Sequence, residues 1–301
     1  MKDITVLEMQ KQELEEVKYR LKKEQRDLTI RKFLKNKLAV IGSLLVIAMI
    51  LVAVFAPAIA PYDPLEPQGK KRLEPPSAEH IFGTDKMSRD VFSRVVYGTR
   101  VSMLVGVCVG ASSMVVGMFL GLYAAYYKWL DNIIMRICDG LTAIPSTLLA
   151  IALMAILGST AVNVIIAMSI VYTPRMARIA RSSALVVKEQ TYIEALRSQG
   201  APAPLIIWRH MAPNILSTVV VQASYNFANS IITEAALSFL GVGIPAPQPS
   251  WGNILNEGRS AINTAWWMII FPGIATAVAV MGINIFGDGL RDILDPRTNQ
   301  H

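Results

Sequence analysis

The sequence predicts an all-α protein that crosses a membrane several times. Of its 301 residues, 53% are hydrophobic, and the stretches 38–60 and 101–127 contain no charged residue at all. About 20 apolar residues cross the hydrocarbon core of a bilayer as a helix. Only helices or closed barrels satisfy their backbone polar groups there. We therefore expect a polytopic membrane protein with six transmembrane helices.

The uncharged stretches place the spans in order along the chain. The region 137–178 fits two spans better than one, because Gly158, Ser159 and Thr160 at its middle are typical turn residues. The spans are expected at 38–60, at 101–127, as a pair within 137–178, at 214–238 and at 260–287, and the last five form a core over residues 101–290.

The distribution of Lys and Arg predicts the orientation of these spans. With the N-terminus inside the cell, the cytoplasmic segments hold 21 basic residues and the external segments hold 8. The positive-inside rule favours this arrangement. The cytoplasmic segments are then 1–37, which is an amphipathic helix on the membrane or a solvated tail, the short segment 128–136, the 175–213 loop and the tail 291–301. The external loops are 61–100 and 241–264.

Several function classes lack support in the sequence. Cys108 and Cys138 fall in or near predicted spans, where they fit ordinary packing residues. His80, His210 and His301 are too far apart for a metal-ligand motif. The chain has no Walker-type phosphate loop, no paired catalytic carboxylates and no nucleic-acid motif. We expect neither an enzyme nor a cofactor bound by this chain.

The 175–213 segment contains a short helical pattern that ends at a glycine. Residues 186–199 are mostly helix formers, and Gly200 is placed to end this helix in a left-handed conformation. A second helix over 205–211 is expected to stop at Pro213. A helix this short is marginal alone, so we expect it to pack on a partner.

Residues 192–200 (Tyr-Ile-Glu-Ala-Leu-Arg-Ser-Gln-Gly), followed by Pro213, resemble the EAA loop of permease subunits from ABC importers. The resemblance implies a coupling helix that docks into an ATPase subunit and rotates spans four and five when ATP binds. Glu194 is expected to contact that partner or Arg197. The residues implied in coupling are Tyr192, Glu194, Ala195, Leu196, Arg197, Gly200, His210 and Pro213.

Three further stretches resemble the C-type permease of dipeptide, oligopeptide and nickel importers. They are residues 83–102, residues 237–252 and the C-terminal 287–297. The sequence departs from that pattern at Ser88, where the family usually has Gly, at Leu196 and at Ala212. Ser88 is also expected to cap a short amphipathic helix in the external loop.

The resemblance implies a type I ABC importer permease fold and a set of partners. They are a homologous B-type permease, two ABC ATPase subunits that bind ATP and Mg, and an external substrate-binding protein, all at the bacterial or archaeal inner membrane. Short peptides are the expected cargo, and nickel or a metal chelate is the alternative. An ion-coupled secondary transporter is the alternative from another class, which Glu234 alone suggests.

Two further groups of side chains are candidates for function. Ionisable and polar residues inside spans are costly and often functional, so Glu234, Asn226 and the weaker candidate Asn229 are predicted to line the transport pathway. The other interpretation is hydrogen bonding between helices. In the external loops, the candidates for facing a binding protein are Asp85, Arg89, Asp90 and Trp251.

Overall fold

The computed structural model describes residues 30–68 and 72–294, together with 17, 19, 20, 23, 24 and 27. Most of the predicted N-terminal amphipathic helix and of the C-terminal tail lies outside these residues. The described chain is mainly helical. From residue 37 onward its α-helices are α1 (Lys37–Val54), α2 (Ala56–Ile59), α3 (Val91–Tyr126), α4 (Lys128–Thr142), α5 (Ser146–Leu157), α6 (Ala161–Lys188), α7 (Thr191–Ser198), α8 (Ala203–Leu205), α9 (Ala212–Phe239), α10 (Trp251–Arg259) and α11 (Trp267–Leu294).

Three of the described helices, α1, α3 and α11, are long and apolar enough to cross a membrane. A fourth span results if α4 and α5, which are bent by 93° relative to each other, count as one. At 28 residues each, α6 and α9 have the length of a span but contain more polar side chains. The described helices therefore support a multi-pass protein, and the count of six stays a prediction.

The longest helix, α3, begins ten residues before the predicted second span. Its N-cap is Asp90, whose Oδ2 accepts a hydrogen bond from the Ser93 backbone N–H at 2.7 Å. Ser88, which the sequence favoured as a cap, has a backbone φ of +61° instead. The prediction that Ser88 caps a separate short helix was wrong, because Asp90 starts a single helix of 36 residues, about 54 Å long.

The α4–α5 region differs from a simple span. The chain breaks after Thr142 because Pro145 removes a backbone donor and disfavours helical geometry at Ile144. Helix α4 crosses α6, and two ion pairs join them, Arg181–Asp131 and Arg178–Asp139. The chain then reverses at Gly158, with a φ of +84°, as the sequence predicted.

Glycines allow the long helices to pack closely. On α3, Gly121 lies against α6 so tightly that a Cβ would approach the Ala177 carbonyl oxygen to 2.5 Å. At Gly106 a Cβ would come within 2.4 Å of the Phe227 ring on α9. Small residues at such contacts let helix backbones approach without a clash. Helix α3 is thus packed against both α6 and α9, which flank the 189–211 segment.

Candidate functional site

The segment between α6 and α9 begins with the short helix α7, which is followed by a turn and then by a π-helix. Helix α6 ends at Lys188, and α7 follows after a break at Glu189 and Gln190. The single helix predicted over 186–199 is therefore two helices. Gly200, with a φ of +76°, ends this part of the segment in the left-handed conformation that was predicted.

The second helix of the segment does not stop where the sequence predicted. Residues Ile206–Met211 form a π-helix that continues directly into α9. Pro213 is the second residue of α9, directly after the π-helix, so the proline does not end the helical path at this point. His210, the other residue predicted in this part, is half-buried, and its carbonyl accepts a hydrogen bond from Asn214 Nδ2 at 2.6 Å. The segment and α9 thus form one continuous helical path.

One face of the segment is buried in the end of the helix bundle. Ile193 of α7 is fully buried, as are Ile206, Ile207 and Met211 of the π-helix. They pack in one apolar cluster with residues of α3, α6 and α9, among them Leu122. Burying a large aliphatic side chain contributes roughly 1.5–3 kcal/mol. These four side chains hold the segment against three long helices.

The opposite face of α7 is open to its surroundings. Tyr192, Glu194 and Ala195 are exposed, and Leu196 is half-buried. Arg197 was one of the two expected partners of Glu194, the other being the docked ATPase subunit. Instead, its guanidinium carbon lies 4.9 Å from the centroid of the Tyr126 ring. The exposed face therefore offers an aromatic ring, a carboxylate and a small apolar residue within one turn.

Two residues that the sequence did not single out connect this segment to α3. Lys188 Nζ donates hydrogen bonds to the carbonyl oxygens of Ala125 at 2.7 Å and of Tyr126 at 3.1 Å. Burial, together with the positive charge of Arg197, lowers the pKa of Lys188 below its ordinary value. An aromatic residue at the end of an apolar run was the available signal for Tyr126, but nothing in the sequence paired it with Lys188.

The three residues of α9 that were predicted to line the pathway differ in burial and in hydrogen bonding. Glu234 is fully buried, and its two oxygens accept hydrogen bonds from Ser102 at 2.9 Å and Ser238 at 2.8 Å. Asn226 is buried too and donates to Ser113 on α3 at 3.0 Å. Asn229 is only half-buried. These contacts favour interhelical hydrogen bonding for Glu234 and Asn226, and a pathway role for the three residues stays a prediction.

The candidates in the external segments are buried inside this chain. Asp85, Arg89, Asp90 and Trp251 are each at most 3% exposed. Asp85 accepts hydrogen bonds from the Arg89 side chain at 2.7 Å and from Arg94. In this conformation these side chains are not available to a protein partner. They hold the segment preceding α3 in place.

Glu257 of α10 completes this charged cluster, although no signal in the sequence indicated it. Its carboxylate accepts from Arg89 Nη2 at 2.7 Å and from Arg94 Nη2 at 2.9 Å. Nearby, His80 Nδ1 lies 3.0 Å from Asp90 Oδ1. More than 150 residues separate Glu257 from Arg94 in the chain, so no local pattern could pair them.

Comparison with known proteins gives a consistent result. Residues 113–300 match the family described as binding-protein-dependent transport system inner membrane component. Residues 25–76 match the N-terminal transmembrane domain of oligopeptide transport permease C. The chain is 44% identical over 270 residues to a putative peptide transport system permease protein of Brucella abortus, covering 90% of this chain and 91% of that protein.

Two further relatives have more specific names. The dipeptide transport system permease protein DppC of Alkalihalophilus pseudofirmus is 44% identical over 264 residues, 87% of each chain. The glutathione transport system permease protein GsiD of Pectobacterium atrosepticum is 46% identical over 269 residues, 89% of each chain. The relatives are transport permeases, which confirms the expectation of a transporter subunit that is not itself an enzyme. The chain belongs to the family of inner-membrane permease components of binding-protein-dependent transport systems, within its oligopeptide permease C branch.

Proposed function

We propose that this permease forms one half of the membrane channel of an ATP-driven importer of short peptides, with α7 as its coupling helix. The proposal rests on the observation that α7 has one buried face and one exposed face. Its buried Ile193 anchors it in the bundle, while Tyr192, Glu194 and Ala195 are exposed on the other side. A helix of eight residues with one exposed polar face suits docking into a groove of a partner protein.

The energy source in this proposal is a pair of ABC ATPase subunits that bind ATP and Mg. Closure of the ATPase pair on ATP would push α7 and thereby rotate α6 and α9, the helices joined to it through the chain. The movement would switch the pathway between inward- and outward-facing states. The alternative function, an ion-coupled secondary transporter, gives a different result in one experiment. Its transport would persist after mutation of the ATPase catalytic site.

A homologous B-type permease would supply the other half of the channel. The side of the bundle formed by α5 supports this assignment, because its apolar side chains lack cover within the described chain. Leu148 is 58% exposed and Ile156 is 82% exposed. Contact with a second permease would bury this surface in an interface, and the pathway would run between the two subunits.

The proposed topology has six spans, with α6 and α9 as the fourth and fifth, and both termini in the cytoplasm. It can be tested with single cysteines in a variant in which Cys108 and Cys138 are replaced by Ser. A membrane-impermeant maleimide should label Gln199→Cys only in inverted vesicles. It should label Glu79→Cys only in intact spheroplasts. Labelling of both from the same side would reject the topology.

The coupling role can be tested with matched pairs of variants in the complete complex. Glu194→Lys should abolish peptide uptake and leave membrane insertion intact, whereas Glu79→Lys at the other end of the bundle should have no effect. Gly200→Pro should also uncouple transport, because proline cannot adopt a φ of +76°. Gly200→Asn, which tolerates that conformation, should transport normally. Normal uptake by Glu194→Lys and Gly200→Pro would overturn the proposal.

The binding protein would dock on exposed residues of the external segments, since the four predicted candidates are buried. Ile81, Met87 and Ile262 are exposed apolar side chains in this region. Met87→Asp should weaken uptake at low concentrations of binding protein and recover at high concentrations. An equal loss at every concentration would point to a folding defect rather than to a docking site.

Short peptides remain the proposed cargo, and the names of the peptide, dipeptide and glutathione transport relatives support this choice. A metal chelate remains the alternative. Measurement of peptide-stimulated ATP hydrolysis by the reconstituted complex, beside nickel-stimulated hydrolysis, separates the two. Stimulation by nickel alone would reject the peptide assignment while leaving the coupling mechanism in place.

A further inference from the structure

The end of α3 lies close to two cations that come from different helices. Tyr126 is the last residue of α3. The Arg197 guanidinium carbon of α7 lies 4.9 Å from the centroid of its ring, and Lys188 Nζ of α6 lies 5.9 Å from the same centroid. Cations within about 6 Å of an aromatic centroid are attracted to the ring face. One side chain thus contacts the helices on both sides of the 189–190 break.

Lys188 also holds the backbone at this point. The last carbonyl groups of a helix have no partner within the helix. Lys188 Nζ donates hydrogen bonds to two of these carbonyl groups, those of Ala125 and Tyr126. Its positive charge also complements the negative end of the α3 dipole. The ring and the backbone of the same residue are therefore both held by the segment that follows α6.

Chain connectivity makes these contacts important. Helices α6 and α9 are joined to α7 through the chain on its two sides, so any displacement of α7 pulls on both. The chain of α3 continues instead into α4. A displacement of α7 therefore reaches α3 directly through noncovalent contacts, among them the Arg197–Tyr126 contact and the apolar cluster that contains Ile193 and Leu122.

We propose that Tyr126 is a positioning residue that makes the end of α3 move together with α7. In this proposal three helices follow the ATPase, rather than only the two that are joined to α7 through the chain. Lys188 of α6 and Arg197 of α7 both contact the ring, which keeps α3, α6 and α7 in one rigid group. The inference rests on the proposed coupling function of α7.

The first test compares the number of peptides transported per ATP hydrolysed in proteoliposomes that contain the complete complex. Tyr126→Ala removes the ring and should lower this ratio by about fivefold, as expected for the loss of a partly buried cation–π contact. Tyr126→Phe keeps the ring and should restore the ratio. Tyr127→Ala removes the neighbouring ring, which lies edge-on to Tyr126, and should leave the ratio unchanged.

A distance measurement provides a second test, which does not depend on transport. Spin labels at Val115 on α3 and Ser198 on α7, both exposed, report whether the two helices move as one. In the otherwise wild-type chain the distance should be the same with and without trapped ATP. With Tyr126→Ala it should change on ATP trapping. A distance that stays constant in Tyr126→Ala, with normal transport per ATP, would overturn the proposal.

If Tyr126→Ala fails to assemble, Arg197→Gln and Lys188→Met test the same contacts with the ring present. Each should lower the transport ratio, and the double variant should lose less than the product of the two effects. Unchanged ratios in both variants would contradict the proposal.

Failure of Glu194→Lys to uncouple would instead reject the coupling role of α7. Uncoupling by Glu194→Lys with normal behaviour of the Tyr126 variants would reject only the role of Tyr126.

Discussion

Arg94 of α3 donates a hydrogen bond from Nη2 to Glu257 Oε1 of α10 at 2.9 Å, and the Arg94 side chain is fully buried. A buried charge is tolerated only when it is paired. Asp85 provides a second carboxylate for Arg94. The pairing fixes the segment before α3 and the α10 helix to the same end of the bundle.

Glu257→Gln should destabilise the folded permease by about 3 kcal/mol, because it leaves the buried Arg94 charge only partly compensated. The measurement is thermal unfolding in detergent, followed with a thiol-reactive dye that reports the exposure of Cys108 and Cys138. Glu79→Gln, an exposed acid in the same external segment, is the control and should leave the midpoint unchanged. Equal midpoints for the two variants would contradict the structural role of the ion pairs.

Ser88→Gly should stabilise the protein by about 0.5–1 kcal/mol. A left-handed conformation costs an L-residue about 1–2 kcal/mol, and the greater freedom of glycine in the unfolded chain offsets part of the gain. The φ of +61° is held by backbone hydrogen bonds of Ser88 with Asp85 and Gln68. Ser88→Val should lower the unfolding midpoint. A lower midpoint for Ser88→Gly would show that the hydroxyl matters more than the backbone.

Gly121→Ala should destabilise the bundle by about 1–3 kcal/mol, since the added methyl group would overlap the Ala177 backbone. Gly140→Ala is the matched control in another helix interior. A Cβ at Gly140 meets nothing within 4 Å, so that variant should gain about 0.5–1 kcal/mol from helix propensity. The stability changes of both variants are measured by thermal unfolding of the purified chain. Equal effects of the two substitutions would rule out the close α3–α6 contact.

Glu234→Ala should cost about 3 kcal/mol of stability, because it leaves a cavity and deprives Ser102 and Ser238 of their acceptor. Glu234→Gln keeps one acceptor oxygen and should cost about 1 kcal/mol. In both variants the preference among peptides should stay the same. A changed preference at unchanged stability would instead place Glu234 on the transport pathway.

Local sequence signals located the features that depend on a few neighbouring residues. Gly158 and Gly200 were placed correctly because a left-handed turn favours glycine whatever surrounds it. The N-cap was misplaced by two residues, since Ser88 and Asp90 are both good caps and the packed loop decides between them. The break before Pro145 was missed because an uncharged run conceals a bend that depends on one proline.

Apolar runs and motifs are local properties of the chain, so the order of the amino acids was enough to assign the membrane class, the family and the place of the segment between α6 and α9. Which side chains are available to a partner depends instead on how the helices pack. Helix packing buries Asp85, Arg89, Asp90 and Trp251, pairs Arg94 with Glu257, and brings both Lys188 and Arg197 to the ring of Tyr126. These contacts join residues that are far apart in the chain, and they form only when helix packing brings their surfaces together.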